Sequence, residues 1–149
     1  MFSMKMKSDV LVLALGSNLG DRENCIKRAV DLLSGHFGPV KDFSGILETE
    51  AVGFDGPPFL NCVLSFDGVT EDAQEILRFC KETEKMLGRT DSPEYDADGN
   101  RIYHSRCIDI DILYYGDRQI DSPELTVPHP GVNSRGYLQE LLKRLRYSR

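Results

Sequence analysis

The chain has no tryptophan and only three histidines, four cysteines and seven prolines in 149 residues. It also lacks an apolar run long enough to cross a membrane. The candidate, Val10 to Leu15, follows Lys5 and Lys7, is approached through Asp9, and ends in Gly16-Ser17-Asn18 rather than at a small-residue cleavage site. It reads as a first, buried strand, with Met1 to Ser8 as a loose leader. No basic excess exists: 18 Lys and Arg against 24 Asp and Glu give a net charge of −6. General nucleic-acid binding, which needs a basic stripe, is thereby disfavoured. Binding of one nucleotide needs only local arginines. No C-x-x-C occurs, and Cys62 and Cys80 fall on apolar faces, so Cys25, Cys62, Cys80 and Cys107 are expected as buried, reduced thiols in a cytoplasmic protein. Without internal repeats or low-complexity linkers, residues 1–149 form one domain, long enough to bury roughly 68 to 70% of its unfolded surface.

What the sequence does contain is concentrated in a few alternating stretches. Asp109-Ile110-Asp111-Ile112-Leu113, led by Arg106, places two carboxylates on one face of a strand and Ile108, Ile110 and Ile112 on the other. Carboxylates two residues apart on a strand lie ~7 Å from each other, close enough to ligate one Mg²⁺ or to bracket two ions ~3.5 to 4 Å apart. A solvated strand face would account for the aspartates equally well when they are taken alone. Two features add weight to the first reading. Pro128-His129-Pro130-Gly131, with Arg135 and Tyr137, gathers a histidine, an arginine and an aromatic soon after the acidic strand. Phe59 to Phe66 alternates again, with Leu60, Cys62, Leu64 and Phe66 inward and Phe59 and Asn61 opposite. An aromatic beside an amide offers a flat heterocycle a stacking surface and polar partners for its edge.

The helices follow from caps and stripes. The first opens with Asp21 as N-cap, buries Ile26, Ala29, Val30 and Leu33, and stops near Ser34 and Gly35. The second opens with Thr70 as N-cap, carries Glu71 and Asp72 in its first turn, and buries Ala73, Ile76, Leu77, Cys80 and Leu87. Glu84 falls on the same stripe, so its carboxylate must find a donor, for which an arginine is the natural partner. Gly16 to Asp21 is a tight strand-to-helix turn, since no Gly-Lys-Ser/Thr follows to make a phosphate loop. Asp96-Ala97-Asp98-Gly99-Asn100 approaches a calcium-loop pattern, but the glycine comes too early and Cys107 stands where a bidentate Glu is required. The polar stretch Thr90 to Ser105 reads instead as a lid over a nucleotide site.

Five segments together carry a family resemblance: Leu15-Gly16-Ser17-Asn18-Leu19-Gly20; Glu48-Thr49 through Phe59-Leu60-Asn61; Glu84 to Gly88-Arg89; Arg106 to Ile112; and Leu125-Thr126-Val127-Pro128-His129 to Arg135-Gly136-Tyr137. In this order the chain resembles 6-hydroxymethyl-7,8-dihydropterin pyrophosphokinase, an enzyme family of folate synthesis. The resemblance implies transfer of diphosphate from ATP to the pterin hydroxymethyl group, leaving AMP. It assigns Asp109 and Asp111 to two Mg²⁺ ions, and Arg89 and Arg106, with these aspartates, to catalysis. It assigns Leu77, Arg89, Tyr103, Arg106, Ile112, Thr126, His129 and Arg135 to ATP. Thr49, Val52, Phe59, Asn61, Asp109 and Tyr137 go to the pterin, and Glu84 to an orienting role. The chain departs from the family at Asp91 and Glu124, which stand where relatives carry arginine, at Tyr103 for tryptophan and at Tyr137 for phenylalanine.

The expected fold is a ferredoxin-like α+β sandwich: an antiparallel sheet with both helices on one side and a ligand-binding face on the other. A small hairpin over Asp117 to Thr126 and a helix from Arg135 to about Leu145, capped by Ser134, complete it. The expected partners are ATP and the dihydropterin, with no nucleic acid, no membrane and a monomeric state. Two other classes use part of the pattern. A ligand-binding regulatory domain explains the stacking strand but not the acids and arginines; a metal-dependent hydrolase explains the acids but not the heterocycle pocket.

Overall fold

In chain order the elements are β1 (Leu11–Ser17), α1 (Arg22–Phe37), β2 (Asp42–Phe43), β3 (Leu47–Thr49), β4 (Phe59–Phe66), α2 (Ala73–Met86), β5 (Glu94–Tyr95), β6 (Arg101–Ile102), β7 (Asp109–Tyr115), β8 (Ile120–Asp121), β9 (Thr126–Val127), α3 (Gly131–Ser134) and α4 (Gly136–Lys143). The computed structural model describes residues 9–18, 20–50, 57–88, 94–95, 97–99, 101–102 and 107–145. The leader expected over Met1 to Ser8 lies outside them.

The strands build one antiparallel sheet in the order β2-β4-β1-β7, with β3 also paired to β4. The central strand β1 is buried along its whole length, extending through Gly16 and Ser17 beyond the apolar run. Alternation then sorts its side chains. Leu11, Leu13 and Leu15 join Cys62, Leu64, Phe66, Ile108, Ile110 and Ile112 in a core sealed by Ile26, Ala29 and Leu33 of α1 and by Ile76 and Cys80 of α2. Val10, Val12 and Ala14 join Val63, Leu113 and Tyr114 on the opposite face, under Leu138 and Leu141 of α4. The ferredoxin-like α+β sandwich is therefore the fold. The ligand face is less open than expected, because α4 covers one end of it. Among the described residues, Phe59, Asn61, Asp109 and Asp111 lie outside the apolar cluster on which that helix packs.

Three element boundaries differ from expectation, each for a local reason. Helix α1 is capped by Asp21, whose carboxylate accepts the Asn24 N–H at 3.1 Å, but it runs past Gly35 to Phe37 and stops at Gly38, at φ 99°. Burial of Phe37 against Phe66 and Phe79 sustains the last turn. Helix α2 starts at Ala73 with Asp72, not Thr70, as N-cap. The Tyr115 hydroxyl, directed at Glu71 O (2.6 Å) and Val69 O (3.0 Å), holds that segment outside the helix. The C-terminal helix is divided into α3 and α4, with extended Arg135 between them as the cap of α4 in place of Ser134. The expected hairpin is present as β8 paired to β9.

The cysteines divide into two pairs. Cys62 and Cys80 are free and buried, as expected. Cys25 and Cys107 are joined in a disulfide, which corrects the expectation of four reduced thiols. Their Cα atoms lie 6.0 Å apart, within the ordinary span of such a bridge, although 82 positions separate them in sequence.

Candidate active site

The sheet register places the chemistry. Asn61 of β4 and Asp109 of β7 are both paired with Gly16 of β1, so the three form one row across neighbouring strands on the same face. With strands ~4.8 Å apart, the Asn61 and Asp109 backbones are ~10 Å from each other, and Gly16 between them contributes no side chain. A Cβ at Gly16 would meet Asn61 Oδ1 at 3.2 Å and Phe59 Cδ1 at 3.5 Å. Glycine there leaves a slot floored by backbone. The Asn61 amide nitrogen is committed elsewhere, donating to Thr49 Oγ1 (2.7 Å) and Leu47 O (3.4 Å), which turns its oxygen toward the slot. The expected donor and acceptor pair is thus reduced to an acceptor.

One end of this row adjoins a cleft. Strand β7 is an edge of the sheet, and its outer side opens into a cavity of about 440 Å³. Leu77, Lys81 and Glu84 of α2 line one side; His129, Pro130 and Arg135 line another; Pro123 to Thr126 close the end; and Asp109 to Ile112 form the strand wall. Glu84 is only 4% exposed, and its Oε2 accepts the Ile110 N–H at 2.7 Å. This bond fixes the outward direction of the Ile110 peptide. By the two-residue alternation of an antiparallel ladder, the Ile112 peptide groups face the same way, toward the cleft. Beneath the strand, the Cys80 thiol is pushed up to about 12, first by burial and then by the Glu84 carboxylate.

The turn after β9 is held by hydrogen bonds to its own and a neighbouring backbone. The Val127–Pro128 peptide is cis, His129 N–H donates to Leu113 O at 3.0 Å, and His129 Nδ1 accepts Gly131 N–H at 2.9 Å. With Nδ1 used as an acceptor, the imidazole proton belongs on Nε2, which lies 3.9 Å from Asp111 Oδ1. Gly131 is packed too closely by His129 Nδ1 and the Arg135 side chain, 3.0 to 3.2 Å from a Cβ position, for a larger residue to fit without displacing them. Arg135 Nη1 in turn reaches the Tyr137 hydroxyl at 3.4 Å.

Of the residues singled out in the sequence, the structure brings Leu77, Glu84, Asp109, Asp111, Ile112, Thr126, His129 and Arg135 to one cavity. Thr49, Phe59 and Asn61 lie around the neighbouring slot, and Tyr137 packs at the edge of the α4 cluster. Val52, Arg89, Tyr103 and Arg106 lie outside the described residues. Within the expected lid, the described part is the two-stranded ribbon of β5 and β6, with Gly99 at φ 84°.

Sequence reading missed four contributors. Gly16 was legible only as a turn residue, since its role comes from register. Lys81 lines the cavity one turn before Glu84. Arg22 Nη1 donates to Glu48 Oε2 and to Pro58 O, both at 2.8 Å, and Asn18 Nδ2 donates to Pro57 O at 3.1 Å. These bonds tie the start of α1 to the residues leading into β4.

Asp109 and Asp111 supply hard oxygen donors side by side on one strand face, a set that suits Mg²⁺, which takes one or two carboxylates and completes its shell with phosphates and water. Among the described residues no group of three or more His, Cys, Asp or Glu side chains forms a self-sufficient metal cage. No described helix is long and apolar enough to cross a membrane.

Comparison with known proteins converges on one family. The profile of the 7,8-dihydro-6-hydroxymethylpterin-pyrophosphokinase family matches residues 12–146. A 2-amino-4-hydroxy-6-hydroxymethyldihydropteridine pyrophosphokinase of Porphyromonas gingivalis is 37% identical over 132 residues, covering 87% of this chain and 86% of its own. One of the same name from Bacillus subtilis is 34% identical over 130 residues, covering 86% of this chain and 72% of its own. A folate synthesis bifunctional protein of Arabidopsis thaliana is 38% identical over 130 residues, 86% of this chain but 25% of that longer protein. The chain belongs to the 7,8-dihydro-6-hydroxymethylpterin-pyrophosphokinase family, enzymes that act as ATP-dependent diphosphotransferases.

Proposed function

We propose that this chain transfers the diphosphoryl group of ATP, with Mg²⁺, to the hydroxymethyl oxygen of 6-hydroxymethyl-7,8-dihydropterin in folate synthesis. The observation that carries this reading is the row Asn61, Gly16, Asp109, which sets a slot for a flat ring directly beside the acid-lined cleft. The ring stacks on Phe59 and lies over Gly16, with Tyr137 as a further wall and Val52 as a contact that the family resemblance implies. Asn61 Oδ1 accepts from the ring's amino edge, and Thr49 holds Asn61 in that orientation.

In the cleft, Leu77, Ile112 and Thr126 receive the nucleoside, to which the family resemblance adds Tyr103, and the outward Ile112 peptide offers a donor and an acceptor to the base. His129, Arg135, Arg89 and Arg106 contact the phosphates. Asp109 and Asp111 would hold two Mg²⁺ ions, which when bound neutralise phosphate charge and orient the β-phosphoryl group. Glu84 keeps β7 in position by capping Ile110 N–H. The hydroxymethyl oxygen attacks the β-phosphorus and gives up its proton to water, the bond from that phosphorus to the α,β-bridging oxygen breaks, and AMP departs with that oxygen. Positioning and charge neutralisation supply the rate in such transfers, so no nucleophilic side chain is required. The setting is cytoplasmic and the working unit a monomer.

Ion-exchange analysis of the products from ATP, Mg²⁺ and the dihydropterin tests the proposal, with pterin-free and metal-free controls. AMP formed only with both pterin and Mg²⁺ is expected. ADP with a pterin monophosphate, or nucleotide cleavage without pterin, would overturn it.

A further inference from the structure

We propose that Cys25 and Cys107 are a thiol–disulfide exchange site whose redox state sets how firmly the Asp109–Asp111 segment is held. Cys107 stands two residues before Asp109, so the bridge ties the start of the acidic strand to the first turns of α1. That end of α1 is already a junction. Asn18 and Arg22 bind the carbonyls of Pro57 and Pro58 just before Phe59, and Arg22 also binds Glu48 beside Thr49. The disulfide therefore joins the slot side and the acid side of the site through one helix end. Beyond Asp109, the strand has its own anchors: Gly16 opposite Asp109, Ala14 opposite Asp111, and Glu84 on Ile110. Between Cys107 and Asp109 lies only the buried Ile108. Opening the bridge leaves the fold in place and loosens the end of β7 that presents the carboxylates.

The exchange chemistry is confined to this pair. Cys62 and Cys80 are buried, and burial pushes both thiols up to about 12, so they contribute almost no thiolate near neutral pH. Cys107 is half-buried, whereas Cys25 is only 7% exposed, so a small dithiol meets Cys107 first. Its thiolate attacks Cys107 Sγ, the S–S bond breaks, and Cys25 leaves as thiolate and takes a proton. The second thiol of the reductant then closes on the mixed disulfide and releases Cys107. Two electrons and two protons pass from the dithiol to the pair, and the reductant departs as its cyclic disulfide.

The test poises the whole protein in buffers of reduced and oxidised dithiothreitol. Thiols are counted by alkylation and mass spectrometry after denaturation, and amide exchange is followed in peptides covering residues 107–113. The dependence of turnover on Mg²⁺ is measured alongside. In oxidising buffer two of the four cysteines are expected to resist alkylation. Exchange at Asp109 to Ile112 should be slower, and half-saturating Mg²⁺ lower, by about fivefold, the lower end of couplings between sites. The double variant Cys25→Ser, Cys107→Ser should match the reduced protein in every buffer. Four alkylated thiols in oxidising buffer would overturn the proposal, as would a bridge whose formation leaves amide exchange unchanged. Redox-dependent exchange in a protein without pterin-dependent turnover would sustain this inference while removing the catalytic reading on which its Mg²⁺ arm rests.

Discussion

The two faces of the sheet use the same strands to opposite ends. On the α1–α2 face, Leu13, Leu15, Cys62, Leu64 and Ile110 form a continuous apolar layer with both helices pressed on it. On the other face α4 packs on Val10, Val12, Ala14, Val63, Leu113 and Tyr114, the next row carries Gly16, Asn61 and Asp109, and Asp111 lies opposite Ala14 at the margin of the covered patch. Alternation thus lets a single strand serve as core and as site, and the length of α4 decides where one ends and the other begins. Substitutions on the two faces should separate stability from chemistry.

The largest effect is expected from Asp111→Ala, which should lower Mg²⁺-dependent turnover about a thousandfold, the scale of losing one preorganised electrostatic contact. Its melting temperature should stay near that of the parent, and turnover within a fewfold of wild type would sink the two-metal reading. On the sealed face, Leu64→Ala removes a fully buried side chain and should cost about 3 kcal/mol in denaturant unfolding, with KM for both substrates unchanged in the folded fraction. Gly16→Ala tests the boundary between the faces. The added methyl crowds Asn61 Oδ1 and Phe59 and should raise the KM for the dihydropterin about tenfold while leaving the KM for ATP in place. Equal effects on the two substrates would show that the slot is not the ring site.

The smallest effect concerns Tyr115, whose hydroxyl reaches from the core to the start of α2. Burial raises its pKa, partly opposed by Arg118 stacked over the ring at 3.8 Å. A raised acid favours the neutral form in the folded state. The resulting stabilisation is fully present below the ordinary tyrosine value of ~10 and is lost as pH rises through the folded-state value. Tyr115→Phe should cost about 1 kcal/mol at neutral pH and should flatten the loss of stability on the alkaline side, as followed by thermal melts across pH.

Alternation made most of this readable in advance. Phe59 to Phe66 and Ile108 to Ile112 announced their inward and outward sets, and the Pro128-His129-Pro130-Gly131 turn announced a fixed histidine. What stayed hidden depends on distance through the fold rather than along the chain. Gly16 acquires its role only when register sets it between Asn61 and Asp109. Cys25 and Cys107 meet across 82 positions. Thr70 and Asp72 are both capping residues by type, and the Tyr115 hydroxyl, more than forty positions from Thr70, occupies the carbonyls around Thr70 and moves the helix start to Asp72. Glu84 was readable as a buried carboxylate in need of a donor, but a backbone N–H on another element leaves no mark in sequence.

A strand at the edge of a sheet invites a strand from another molecule, and among the described strands β7 is such an edge. Along it, Glu84 takes the Ile110 N–H and His129 occupies the Leu113 carbonyl, at 2.7 and 3.0 Å. A foreign strand would have to displace a buried carboxylate at one point and a proline-braced turn at another, and would meet Asp111 between them. The groups that shape the cleft beside β7 therefore also guard the protein against edge-to-edge association, so weakening either contact exposes the chain to aggregation as well as to loss of activity.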